Sequence, residues 1–183
     1  LRIAFYGDSF IEGDVFCGSF RDTLQTAFGG RGVGYGPVTS NVTGFRNTIK
    51  HKFENWTTSS LVERTSDRAL GPAGFTFIPG QNNTLEYRPS RQRYLRSFST
   101  VRLYYSNPDS AIMHYAIDTT ESSEALKISA RMQEWKFQGT NLKRVNISFD
   151  PYDSLSVYGL SFEGPPGVYV DNFSIRSNSG LNL

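Results

Sequence analysis

The sequence predicts a mainly β chain, an antiparallel β-sandwich of jelly-roll type set into a partial α/β fold. Three observations predict it. From about residue 38 to residue 162, apolar residues recur with period two, in short runs separated by Gly, Pro, Asn, Asp and Ser clusters. The first thirty residues read instead as strand, loop and helix. A last apolar run, Gly167–Ile175, then reads as a strand returning to that opening unit.

The elements follow in order. Leu1–Tyr6 is an apolar run closed by Gly7, the pattern of a buried strand. In Phe20–Phe28, Phe20, Leu24, Ala27 and Phe28 recur at helical spacing. Ser19 serves as N-cap, Asp22 lies in the first turn, and Gly29-Gly30 is the stop. Phe45–Phe53 places Phe45, Ile49, His51 and Phe53 on one face of a strand. Further strands are expected at Gly74–Ile78, Thr84–Arg88, Thr100–Tyr105, Ala111–Ile117, Ala125–Ala130, Leu142–Phe149 and Ser156–Phe162. There is no internal repeat and no low-complexity linker. The expected organisation is therefore residues 1–37 as an N-terminal α/β segment, 38–165 as an inserted sandwich, and 166–183 as the return strand.

Composition narrows the function. The 183 residues are 38% hydrophobic, 14% aromatic and 20% charged, which is globular rather than disordered. A net charge of +2, from 19 basic and 17 acidic residues, is too balanced to argue for nucleic acid or an anionic membrane. No apolar run is long enough to cross a bilayer. Cys17 is the only cysteine, so an internal disulfide and a thiolate zinc site are excluded. The start at Leu1 reads as a processed or trimmed N-terminus.

The chemistry-bearing string is Gly7-Asp8-Ser9, directly after the first strand and ahead of the first helix. A serine at the carboxyl end of such a strand stands over the crevice where α/β sheets bind ligands. Gly7 allows a tight turn, and Asp8 braces it through the backbone. The N–H groups of a nearby helix end suit a developing oxyanion. Read alone, a Gly-Asp-Ser tripeptide is usually an ordinary turn, and the strand-then-helix context favours the functional reading.

The run Leu1-Arg2-Ile3-Ala4-Phe5-Tyr6-Gly7-Asp8-Ser9 resembles the first block of SGNH (GDSL-type) serine hydrolases. Phe28-Gly29-Gly30-Arg31-Gly32-Val33-Gly34-Tyr35 resembles a subgroup with a β-sandwich interrupting the hydrolase fold, as in bacterial peptidoglycan O-acetylesterases. Val170–Gly180 resembles the second block, in which a glycine N–H joins the oxyanion hole. The resemblance implies Ser9 as nucleophile and oxyanion donor, Gly180 as second donor, and Gly7 and Asp8 in support. Related sequences often have glycine where Ser177 stands. The implied substrate is an O-acyl, chiefly acetyl, ester on carbohydrate or cell-wall glycan. The implied place is the periplasm or outside a bacterial cell, with no metal or organic cofactor and no nucleic-acid partner.

The departures are specific. Gly80-Gln81-Asn82-Asn83 imitates the family's Gly-x-Asn-Asp block but precedes the second block, so it is rejected. The Asp-x-x-His block is missing. Asp109 and His114 have the wrong spacing, and His114 alternates to the face opposite Met113, Tyr115 and Ile117, as a surface histidine would. His51, beside Ile49 and Phe53, reads as a satisfied half-buried histidine. With these two histidines alone no triad assembles. The chain is expected to be part of a longer hydrolase whose His/Asp pair lies beyond Leu183, and to be inactive by itself.

Two further features have dull readings beside their functional ones. Trp56, Trp135, Tyr87, Tyr94, Tyr104, Tyr105 and Tyr115 could stack on sugars or fill the core, and one of Tyr104 and Tyr105 must face outward. Arg88, Arg91, Arg93 and Arg96 could meet an anionic polymer or line a solvated loop. The runner-up function is a non-catalytic carbohydrate-binding sandwich.

Overall fold

The computed structural model describes residues 1–44, 46–90, 95–150 and 154–178. Its elements are β1 (Arg2–Phe5), α1 (Ser9–Glu12), α2 (Val15–Phe28), β2 (Gly34–Gly36), β3 (Ile49–Ser60), β4 (Phe75–Pro89) and β5 (Phe98–Asn107). They continue with β6 (Ile112–Ile117), β7 (Thr120–Ala125), β8 (Ser129–Leu142), β9 (Val145–Phe149), β10 (Ser156–Glu163) and β11 (Tyr169–Asn172). The expected fold class is borne out: the chain is mainly β, and its antiparallel strands form one curled sheet closed into a sandwich.

Among the described residues nine strands make that sheet, in the order β7-β6-β9-β4-β10-β5-β8, with β2 also on β10 and β3 also on β4. Strand β4 turns the corner. Phe77 near its start pairs with Val157 of β10, whereas Leu85–Tyr87 near its end pair with Val145–Ile147 of β9. At the bend the β3–β4 ladder shifts register between Glu54 and Trp56, and Asn55 and Asn82 take positive φ of 59° and 52°. A bulge of this kind lets a strand leave one layer for the other. Asn83 fastens it: its Nδ2 donates to the carbonyls of Gly80 and Phe149 (2.8 and 2.7 Å), and its Oδ1 accepts from Phe149 N–H at 2.9 Å. The rejected Gly80–Asn83 string is thus the corner of the sandwich.

The core fills the space between the layers. Phe77, Leu85, Tyr87, Val101, Leu103, Met113, Ile117, Val145, Leu155, Val157, Leu160 and Phe162 are buried there. Alternation puts Met113, Tyr115 and Ile117 inside and leaves His114 partly outside, as the sequence predicts.

A second, smaller sheet pairs β1 with β11 in parallel, Arg2 with Tyr169 through Phe5 with Asn172. Helix α2 packs against it, with Phe5 edge-on to Phe16 and Phe20 at ring distances of 5.6 and 5.3 Å. The opening segment therefore stands apart from the sandwich ladder and meets the returning strand. A tight backbone seam joins the two parts: Val168 N–H donates to the carbonyl of Gly29 (3.0 Å), and Gly164 N–H to that of Arg31 (2.7 Å). Gly167 lies against the backbone of Gly29 and Gly30 there, so a side chain at 167 would collide with main chain that cannot yield.

Several boundaries differ from expectation. Helix α2 starts at Val15 and not Phe20. Ser19 lies inside it, its hydroxyl donating back to the Val15 carbonyl at 3.1 Å. Residues Gly74–Ile78 and Thr84–Arg88 belong to one long strand, β4. The expected strand Ala125–Ala130 instead spans the turn from β7 to β8, and β2, β7 and β8 are additional. Phe45 lies outside the described residues.

Candidate functional site

Strand β1 delivers the chain to Gly7, where it turns. A Cβ on Gly7 would sit 2.8 Å from Ile11 Cγ1 and 3.1 Å from Ser174 Oγ, so the turn closes only around a residue without one. Asp8 caps the next helix, its Oδ1 accepting from Phe10 N–H at 2.9 Å. Ser9 is the first residue of α1 and is exposed. The expected support of a helix N-terminus is slighter than the sequence suggests, because α1 is a single turn and α2 begins only at Val15.

The return strand runs alongside this turn past its formal end. Phe173 N–H donates to the Phe5 carbonyl (2.7 Å) and Ile175 N–H to that of Gly7 (3.0 Å). Ser177 has φ of 62°, a left-handed conformation that glycine takes more readily, and Asn178 N–H closes a turn onto the Ile175 carbonyl at 3.2 Å. Gly7, Asp8 and Ser9 are therefore brought beside the segment leading toward Gly180. Gly180 itself lies outside the described residues.

Sequence reasoning missed the group that fixes this corner. Asp14 is buried. It receives both guanidinium nitrogens of Arg21 (3.0 and 3.1 Å), the Thr48 hydroxyl (2.5 Å) and Asn172 Nδ2 (3.2 Å), with Arg46 Nε at 3.8 Å. Burial works against its charge, but the attraction of Arg21 and Arg46 and the hydrogen bonds from Arg21 and Thr48 prevail, holding its carboxyl down at about 2. Asn172 Nδ2 also donates to the Ile11 carbonyl at 2.8 Å, tying α1 to the end of β11. These partners come from α1, α2, β11 and the entry to β3, and nothing local in the sequence joins them. Asp14 has positive φ and no side-chain cap bond, because its carboxylate is turned inward to Arg21.

Neither histidine serves Ser9. His51 stacks on Tyr87 with ring centroids 4.3 Å apart, and its Nε2 lies 2.8 Å from the Val38 carbonyl. Burial pushes its pKa down to about 3. His114, on β6, contacts Ser123 Oγ through Nδ1 (2.7 Å) and Asp150 Oδ1 through Nε2 (3.0 Å). Cys17 is not a rival nucleophile, since burial and then Asp14 push its thiol up to about 11. Among the described residues no group of three or more His, Cys, Asp or Glu could hold a metal ion. No described helix is long and apolar enough to cross a membrane.

The aromatic residues serve the core. Tyr87, Tyr105 and Tyr115 are buried, and Trp56 and Trp135 pack against the cluster. Tyr104 is the one of its pair turned outward, half-buried. Tyr94, Arg91 and Arg93 lie outside the described residues, while Arg88 is ion-paired with Glu86 at 3.0 Å.

Two concavities are notable. A cavity of about 310 Å³ lies between the Ser9-bearing corner and the sandwich, with Glu12, Asn172 and Ser174 on one side and Thr39, Thr58 and Phe75 on the other. A wider groove of about 710 Å³ crosses the sandwich face over Lys52, Glu54, Glu86, His114, Glu121 and Asn146.

No family model and no curated relative matches the sequence. Solved structures do. A peptidoglycan O-acetylesterase superposes over 98% of this chain with a TM-score of 0.68 at 20% identity. The chain spans about half the length of that protein, 48%. A family two carbohydrate esterase from Cellvibrio japonicus aligns over 67% of this chain and 36% of its own, with TM-score 0.38 and 16% identity. A family 29 carbohydrate-binding module from Piromyces equi aligns over 72% of this chain and 88% of its own, with TM-score 0.41 and 9% identity. The first likeness establishes a shared fold; the scores of the other two are too low to do so.

Proposed function

We propose that this chain is the nucleophile-bearing part of an SGNH-type serine esterase acting on O-acyl, chiefly acetyl, esters of carbohydrate or cell-wall glycan in the bacterial envelope. In this reading, residues 1–37 and 166–183 belong to the hydrolase fold and residues 38–165 are a sandwich inserted into it. The observation that carries the proposal is the parallel pairing of β1 with β11, which sets Gly7-Asp8-Ser9 against the returning segment at the carboxyl ends of both strands. The full-length likeness to a peptidoglycan O-acetylesterase fold supports it.

Ser9 Oγ would attack the acyl carbon while its proton passes to a histidine. The tetrahedral oxyanion would be met by the N–H groups of Ser9 and Gly180 and by an asparagine. Collapse would expel the sugar oxygen, which takes the proton, and water would then hydrolyse the acyl-serine. His51 and His114 are engaged elsewhere, so the histidine, its aspartate and the asparagine must come from the remainder of the hydrolase. The surface agrees with such a partner: Leu1, Tyr6, Phe10, Val15, Phe16 and Phe28, all from the opening segment, are exposed large apolar side chains. Among the described residues β1 has β11 as its one strand neighbour, and parallel sheets are seldom left so open.

The test is hydrolysis of p-nitrophenyl acetate by the longer protein and its Ser9→Ala variant. Loss of about 10³-fold or more in kcat/KM is expected, and equal turnover by the two would remove Ser9 from the mechanism. This chain alone should show almost none. The groove on the sandwich face favours a second reading, a carbohydrate-binding module without catalysis; equal turnover joined to glycan binding would select it.

A further inference from the structure

The cavity of about 310 Å³ between the Ser9 corner and the sandwich has features that the esterase reading does not use. We propose that it is a saccharide subsite, in which the sandwich holds one uncharged sugar ring of the glycan that carries the ester. This inference rests on the proposed function for the role of that glycan, but the cavity is argued from its own chemistry.

Its position comes first. Ser174 Oγ lies beside Gly7, two residues before the nucleophile, and both Ser174 and Ile175 line the cavity. A ligand there touches the Ser9 corner on one side and β3 and β4 of the sandwich on the other. At about 310 Å³ it stands at the small end of ligand cavities, which run from roughly 300 to 1,000 Å³. That suits one ring and not an extended chain.

The second feature is an unsatisfied group. Ser174 is 6% exposed, and its hydroxyl has no partner among the described residues. Burying a hydroxyl without a hydrogen bond is unfavourable, and such groups in folded proteins call for a specific reason. Lining a cavity next to the reactive turn, Ser174 Oγ is placed to exchange a hydrogen bond with a bound hydroxyl or amide.

Third, both arginines of the wall are already paired, and Glu63 adds a further negative charge. Arg46 faces Asp14 and donates to the Tyr35 carbonyl (3.0 Å), and Arg176 is paired with Glu12 (3.0 Å). An anion would gain little here. Thr39 and Thr58 share one hydrogen bond of 2.7 Å, which leaves the pair with a further O–H and free lone pairs. Phe75, Val62 and Ile175 supply apolar surface in the same wall. Hydroxyls interleaved with carbon surface match a pyranose, whose edge is polar and whose faces are C–H. The wide groove is larger and more open, at about 710 Å³, and is lined by the sandwich alone, away from the Ser9 corner.

The experiment is equilibrium binding to this chain, by calorimetry or protein-observed NMR, of three probes: the β-1,4-linked N-acetylglucosamine trisaccharide, cellotriose and xylotriose. At least one should bind saturably. Val62→Trp, at an exposed position on the cavity rim, should weaken binding by about tenfold or more. Ser174→Ala should weaken it similarly while leaving thermal stability equal or higher, since it removes an unpaired buried hydroxyl. His114→Ala, in the wide groove, should bind as the parent chain does. No saturable binding of any probe would overturn the proposal, as would binding lost in His114→Ala yet retained in Val62→Trp. Binding is read without turnover, so failure of the Ser9→Ala prediction and failure of this one are separate results.

Discussion

Replacing Asp14 by Asn tests what holds the corner that carries Ser9. The carboxylate is buried and neutralises Arg21, which is itself 1% exposed and spends its remaining Nε–H on the Val170 carbonyl (2.9 Å). An amide keeps the shape and leaves a buried guanidinium without its counter-charge. Breaking one partner of a buried pair costs about 3–5 kcal/mol, a large share of the ~5–15 kcal/mol that a domain has. The pH dependence gives an independent number. The folded carboxyl sits near 2 against an ordinary 3.8. Each unit is worth about 1.4 kcal/mol, so the difference contributes about 2.5 kcal/mol. Because the folded value is depressed, that stability is present above pH 3.8 and is lost as pH falls toward 2. Urea unfolding of both proteins between pH 7 and pH 2 is the assay. The midpoint of Asp14→Asn should be far lower at pH 7, and the gap should narrow by about 2 kcal/mol between pH 4 and pH 2. Equal midpoints at pH 7, or a gap that stays constant into acid, would refute the reasoning.

Three other outcomes are expected. His51 is held neutral by burial, with a folded value near 3 against 6.5, so the chain should lose stability as pH falls from about 6.5 toward 3; His51→Phe should flatten that part of a pH series of urea midpoints. Asn83→Ala removes three hydrogen bonds at the sandwich corner and should cost about 2–4 kcal/mol in urea unfolding, since two carbonyls and one N–H lose their partner. The excised segment 32–165 should unfold cooperatively by calorimetry, because every buried residue of the main core cluster lies between Val33 and Phe162.

What the sequence announces and what it hides divide along physical lines. Strands buried on one face show themselves by alternation: Ile112–Ile117 reads correctly because Met113, Tyr115 and Ile117 are driven inward together. Besides the three-residue β2, the strands passed over are the two ends of the ladder. β7 is exposed along its whole length and β8 along most of its own, and both ends of the seven-strand path are rich in polar residues. An edge strand with little buried surface carries no period to detect, and edge polarity guards against further pairing. The helix start at Val15 was hidden because Asp14 lacks a capping bond and gives its carboxylate to Arg21. Ser9 was legible, since strand, glycine and helix follow one another along the chain. The wall around it was not, since Asn172 and Ser174 meet α1 and Gly7 only after some 160 residues of intervening chain.

That long detour is also why the arrangement is tolerated. Parallel strands need a crossover, ordinarily a single helix, and here the crossover from β1 to β11 contains α2 and the whole sandwich. The cost of bringing β11 back is small because the sandwich closes its own loop. Its entry strand β2 pairs with its exit strand β10, Gly36 with Leu160 and Gly34 with Phe162. The flanking residues are thereby delivered side by side, Gly29 to Val168 and Arg31 to Gly164. Once the sandwich folds, the loop left to close between α2 and β11 is a few residues and not well over a hundred, and closure entropy follows the residual loop. The same closure brings Thr39, Thr58 and Ser174 to one cavity. A pocket shared by two parts of a chain keeps its shape when their junction is this short, so the seam that lets β11 return also sets the width of the proposed sugar site.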